Sequence, residues 1–210
     1  MKANLLFAVL VGFLAGAVFF LLDSRETTYE TPYMDVIDAV VDSGLQAPLD
    51  LESESFFAQR AIVSTTDVNA EFSKRVIAQL LVLDGRETAP IDFYLRTEGG
   101  WEADAFAVID TIRALQSPVN IHGMGEVHSA GAMILATATG KRIVYENTVV
   151  GFHEVGPDEE EIFEQRYLKL WEKYAQLPQE WLESRNEEMQ YFTAEEAVEM
   201  GVADEIRGEE

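Results

Sequence analysis

Among the side chains able to do chemistry, Ser129 stands first. It lies in Gly125-Glu126-Val127-His128-Ser129-Ala130-Gly131, a small-residue turn that leads straight into the apolar run Ala132-Met133-Ile134-Leu135. A serine there sits at a predicted helix N-terminus, where free backbone N–H groups and the helix dipole favour developing negative charge. That is the setting an acyl-transfer nucleophile needs. It is also the place of an ordinary N-cap serine, and this stretch alone leaves both readings open. His153 follows the apolar Val149-Val150-Gly151-Phe152, 24 positions beyond the serine, and a histidine at a strand's end serves either as a structural residue or as a base. The three histidines, at 122, 128 and 153, lack His-x-x-x-His spacing, so a zinc site would need carboxylates from elsewhere. Cysteine is absent, which excludes disulfides, thiol catalysis and Cys-ligated metals.

The elements that must position these groups begin near Arg60. Ala61-Ile62-Val63-Ser64-Thr65 reads as a strand, and Val68, Phe72, Val76 and Leu80, with Ile77 and Leu81, mark the buried face of a helix that Gly85 ends. Ile91 to Arg96 is a second strand. Thr97-Glu98-Gly99-Gly100 follows, then a helix to about Leu115 that buries Phe106, Ile109 and Ile112. A third strand, Val119 to Met124, precedes the serine helix, which ends at Gly140, and Arg142 to Tyr145 and Val149 to Phe152 are further short strands. This alternation predicts an α/β domain with mainly parallel pairing. In such folds sites gather where strands end and helices begin, and two of these junctions are marked by glycine, Gly99-Gly100 and Gly125 to Ala130.

Beyond His153, Pro157 and the run Asp158 to Glu161 open a helix with acidic side chains in its first turn. Phe163, Tyr167, Leu170, Tyr174 and Leu177 recur at helical spacing, with Trp171 and Trp181 adding aromatic bulk, and read as a core or subunit contact. Pro178 starts a second helix through Met189. Thr193-Ala194-Glu195-Glu196 is a capping box for a third that ends at Gly201, and Val202 to Ile206 closes the fold.

At 48% hydrophobic residues, a chain of 210 residues supports one real core plus an appendage. The net charge of −23, with only 15 Lys and Arg, argues against nucleic acid as a partner and against a domain lying on anionic lipid headgroups. Residues 1–22 form the appendage. Leu5 to Leu22 are apolar or small without interruption, and as a helix would rise about 27 Å, enough to span or nearly span a bilayer core. Ala15-Gly16-Ala17 has the form of a signal-peptide cleavage site, but cleavage there would leave Val18-Phe19-Phe20-Leu21-Leu22 as an exposed apolar terminus, which favours an uncleaved anchor. Lys2 and the terminal amine, set against Arg25, put the N-terminus in the cytoplasm and the rest outside, in a periplasmic or extracytoplasmic position. Residues 23–59 read as an acidic tether with one short helix, Met34 to Val41, between Pro32 and Pro48. Residues 60–210 are the globular domain.

From about Arg60 to Ile206 the chain resembles the ClpP peptidases, within the wider ClpP/crotonase fold. "AQLLVLDGRETAPIDFYLRTEGG" is similar to that family's helix, strand and Ser-Pro-Gly-Gly turn, and "DTIRALQSPVNIHGMGEVHSAGAMILATATGKR" to its nucleophile segment. "ENTVVGFHEV" is similar to its histidine segment and "TAEEAVEMGVADEI" to its closing helix. The resemblance implies a spiral of β-β-α units with an appended helical handle. It also implies Ser129 as nucleophile, His153 as general base, and the N–H groups of Gly100 and Ala130 as oxyanion donors. The family's third member is an acid in the column that holds Met189 here, and methionine cannot orient an imidazole. Glu188, Glu187 or Asn186 would then take that part, or the site would run as a Ser-His dyad. Glu98 replaces the proline of the Gly-Gly turn, Glu154 and Val155 replace the Gln-Pro after the histidine, and Pro157 to Glu161 replaces the Gly-rich strand that opens the handle, which argues against a double ring. The expected activity is slow hydrolysis of peptides or loosely folded segments by a homo-oligomer, without metal or cofactor. An outward-facing domain has no ATP supply, which argues against an ATPase partner. Two alternatives are a non-catalytic scaffold that oligomerises at the membrane, and crotonase-type enolate stabilisation, for which so acidic a chain is a poor host of a phosphate-rich coenzyme.

Overall fold

The computed structural model describes residue 56 and residues 58–153, 161–177 and 188–208. The expected anchor at 1–22, nearly all of the tether, the opening of the helix after His153, the helix from Pro178, and the candidates Asn186 and Glu187 lie outside the described residues. Among the described residues no helix is long and apolar enough to cross a membrane.

The elements, in order, are β1 (Ala61–Ser64), α1 (Ala70–Arg86), β2 (Ile91–Thr97), α2 (Glu102–Ala114), β3 (Val119–His128) and α3 (Ala130–Ala136). Then come β4 (Arg142–Tyr145), β5 (Val149–Phe152), α4 (Glu161–Tyr174), β6 (Gln190–Phe192), α5 (Ala194–Glu199) and β7 (Glu205–Arg207). Asn69 starts α1 by accepting the Glu71 and Phe72 N–H groups on its side chain, at 3.0 Å each. Phe72, Val76, Leu80 and Leu83 supply its buried stripe. The helix runs through Gly85, which was expected to end it. The Leu83 carbonyl in its last turn accepts both the N–H of the extended C-cap residue Glu87, at 3.4 Å, and the Arg60 guanidinium, at 2.8 Å, so the terminus needs no left-handed glycine.

The strands form one sheet in the order β1-β2-β3-β4-β7, parallel throughout, as the alternation of elements implied. β3 is longer than expected. It does not stop at Met124 but passes through Gly125, at φ +63°, to His128. Its first half pairs with β4 through Ile121–Gly123 and its second half with β5 through Glu126–His128. The glycine takes a bend that other residues rarely adopt, and the register against β2 shifts between Leu95 and Thr97 at the same level. One strand therefore serves two neighbours in turn, and its far end is carried out to β5. β6 fills the gap between the helix expected to end at Met189 and the one capped at Thr193, where the sequence suggested no element, and adds one antiparallel strand to β5. Three residues are too few to show a period.

Helices α1, α2 and α3 pack in succession against one another, and Phe93, Leu95, Ile112, Ile121 and Ile134 are fully buried in the common core. At the C-terminal end the capping box forms as read. The Thr193 hydroxyl accepts the Glu196 N–H at 3.3 Å and the Glu196 carboxylate accepts the Thr193 N–H at 2.9 Å. Arg142 ties β4 to the C-terminal part of the chain by donating to Asp204 and to the carbonyls of Tyr174 and Gly201. Burial alone would raise the Asp204 pKa, but its bonds to Arg142 and the charges of Arg142 and Lys141 outweigh that and hold it below the usual carboxylate value.

Candidate active site

β3 and β5 run parallel, with His128 paired to Gly151, so the residues just beyond each strand emerge side by side. Ser129 comes after the first and His153 after the second. The Ser129 main chain is held by its own N–H, donated to the Gly151 carbonyl at 2.6 Å, and by its carbonyl, which accepts the Met133 N–H at 3.2 Å. It adopts φ +50°, ψ −120°; Arg60 is the other non-glycine at positive φ among the described residues. A serine in that region is strained and persists because its surroundings over-determine it. The hydroxyl makes no capping bond to α3, so the N-cap reading is corrected. Ser129 Oγ lies 3.0 Å from His153 Nε2 instead.

The Gly99-Gly100 turn closes over the serine from β2. Gly99 is at φ +102° and Gly100 at φ +142°, and a Cβ on Gly99 would stand 2.7 Å from the Ser129 Cβ, and on Gly100 2.1 Å from the Val68 carbonyl oxygen. Only glycine fits both the torsion and the space. Val68 donates to the Gly99 carbonyl at 2.7 Å and accepts from Trp101 N–H at 2.8 Å, a parallel bridge centred on Gly100 that turns the Gly100 N–H away from Val68. Among the described residues, neither the Gly100 nor the Ala130 N–H donates to a protein acceptor. Gly99 packs against both Ser129 and Ala130, so the two N–H groups belong to the same neighbourhood. An imidazole on a serine hydroxyl, beside main-chain donors with no other partner, is an arrangement suited to acyl transfer.

β6 brings the sequence that precedes α5 to the histidine. Phe152 pairs with Gln190, the last pair of this register, and Met189 and His153 are the residues just beyond each strand at that end. The Met189 sulfur lies 3.2 Å from where a Gly151 Cβ would stand. Glu188, directly before it, is exposed. On the same side, His128 is buried, with its ring edge-on to Tyr191 at a centroid distance of 5.1 Å, and its Nε2 has no hydrogen-bond partner. Burial lowers the His128 pKa below 6.5; the charges of Glu126 and Glu98 oppose the shift and that of Arg96 adds to it. The sequence did not single out this histidine, because nothing local distinguishes a buried imidazole from a surface one.

The sequence profile of the Clp protease family matches residues 49–157. The chain belongs to the Clp protease family. Similar Clp proteins include the ATP-dependent Clp protease proteolytic subunit 2 of Treponema denticola, 38% identical over 95 residues that make up 44% of this chain and 47% of that one. The ATP-dependent Clp protease proteolytic subunit of Deinococcus radiodurans is 31% identical over 163 residues, 70% of this chain and 79% of its own. The Clp family match includes Gly100, Ser129, Ala130 and His153 and stops before Met189.

Proposed function

We propose that this Clp-family chain is a serine peptidase in which Ser129 is the nucleophile and His153 the general base. The hydrogen bond of 3.0 Å between Ser129 Oγ and His153 Nε2, on a serine held at positive φ, is the observation that carries the reading. As Oγ attacks the scissile carbonyl, its proton passes to Nε2, and the carbonyl oxygen takes up the negative charge under the N–H groups of Gly100 and Ala130. The tetrahedral adduct collapses when His153 returns the proton to the leaving amine. Water then releases the acyl group from Ser129 by the same steps, with His153 again as base. The proteolytic-subunit names of the relatives support a peptide or unfolded segment as substrate, and a homo-oligomer as the working form.

The third position is Glu188, Glu187 or Asn186, or is not filled, since Met189 cannot accept from an imidazole as a carboxylate does. Neutralising the acid costs other triads about 10⁴ in rate, so turnover is slow. Residues 5–22 anchor the chain, with the domain on the outer side of the membrane, where no ATP-driven partner operates. Met189 also favours one other reading, a scaffold that keeps the fold without the chemistry.

A fluorophosphonate probe, which reacts with activated serines, separates these. The full-length protein should take up label, and Ser129→Ala and His153→Ala should lose nearly all of it. Equal labelling of all three would leave the scaffold.

A further inference from the structure

The helix stripe beyond the site does more than fill the core. Trp171 of α4 is fully buried and its ring lies 4.9 Å from that of Phe152, on which Phe192 of β6 also stacks at 4.7 Å. Tyr167, one turn earlier on α4 and buried, meets Trp171 edge-on at 5.9 Å and carries its phenol past this stack to His153. There its hydroxyl donates to the His153 main-chain carbonyl. β5 ends at Phe152, so that carbonyl lies beyond the sheet ladder, and the described donor to it comes from a helix.

We propose that Tyr167 is a positioning residue for His153: its hydroxyl fixes the histidine's main chain, and through it the distance between the imidazole and Ser129. The proposal rests on the reading of Ser129 and His153 as a working pair. The physical case is one of leverage. The ladder holds the chain as far as Phe152, while Nε2 is the far end of the next side chain, where a small rotation of the main chain is magnified. Misplacement of a reacting group by about 1 Å costs on the order of 10²-fold in rate. A part-buried carbonyl bonded to a rigid phenol, itself wedged by Trp171, restrains that rotation.

The test uses full-length protein and Tyr167→Phe, which keeps the ring and its packing and removes one hydroxyl. Peptide hydrolysis should fall roughly tenfold in kcat with KM within about twofold, because binding of the substrate is untouched and the imidazole is displaced. A control, Val108→Ala in the core of α2, should lower the melting temperature with little change in kcat. Full kcat in Tyr167→Phe, or an equal loss in a control of equal thermal stability, overturns the proposal. Ring NMR signals of the three histidines give a readout that needs no turnover. The His153 ring signals should move in Tyr167→Phe while those of His122 stay, and an unmoved His153 overturns the proposal. If the wild type hydrolyses no faster than Ser129→Ala, the peptidase reading fails on that arm alone and the NMR arm still decides the role of Tyr167. Should Tyr167→Phe not fold, a ring-fluorinated tyrosine at 167 keeps the shape with a more acidic phenol, and the His153 signals must again shift.

Discussion

Ser129 combines two features that a capping serine would not need: a left-handed backbone and a hydroxyl turned away from the helix it precedes. Both are non-local in origin, since the torsion is held by Gly151 of the neighbouring strand and the hydroxyl by His153. His128, the next residue back, is the opposite case, a titratable group buried with no partner for its Nε2. Its folded pKa lies below the ordinary 6.5, so between that lower value and 6.5 the unfolded chain binds the more protons. Unfolding free energy therefore falls as the pH drops below about 6.5, and the stabilisation from a neutral His128 is fully present only above it. Melting temperatures measured at pH 7.5 and 5.5 should differ less in His128→Leu than in the wild type. An equal drop in both would mean that the imidazole is not held neutral.

At the scale of elements, the site is made by pairing. β3 delivers Ser129 because it continues through Gly125 to reach β5, and β6 delivers Met189 because it pairs antiparallel with β5. Carried one residue beyond its last pair, the second pairing would set a residue without a charge or an acceptor oxygen opposite His153, the proposed base. Met189→Asp should place a carboxylate beside His153, and the peptidase rate should rise by about tenfold or more, given the factor of about 10⁴ that the acid is worth in other triads. Steady-state kinetics decide it, and a flat or lower rate would show that the side chain at 189 does not face the imidazole.

At the scale of the whole molecule, charge bears on the proposed membrane attachment. A chain with 38 Asp and Glu against 15 Lys and Arg would be repelled by anionic headgroups, so the proposed anchoring assigns attachment to the apolar stretch from Leu5 to Leu22 and not to electrostatics. Full-length protein expressed in cells should stay in the membrane fraction through a high-salt wash and leave it in detergent. A chain starting at residue 23 should appear in the soluble fraction. Release of the full-length protein by salt would remove the anchor from the reading.

Read alone, the sequence determined what local rules can determine. The stripe on α1, the alternation along β2 and the capping box at Thr193 are set by neighbours a few residues away, and the order of strands and helices was enough for a parallel α/β sheet. It also named the serine, the histidine and the Gly-Gly turn, since glycine at an obligate positive φ and a polar residue at a strand's end are visible as residue types. Only the tertiary structure decided the rest. Where β3 ends, that β6 is a strand at all, which partner the Ser129 hydroxyl takes and what Tyr167 holds all depend on hydrogen bonds between segments far apart in the chain. Periodicity carries no record of such pairings, because each is chosen by the geometry of two segments brought together, and neither segment specifies it by itself.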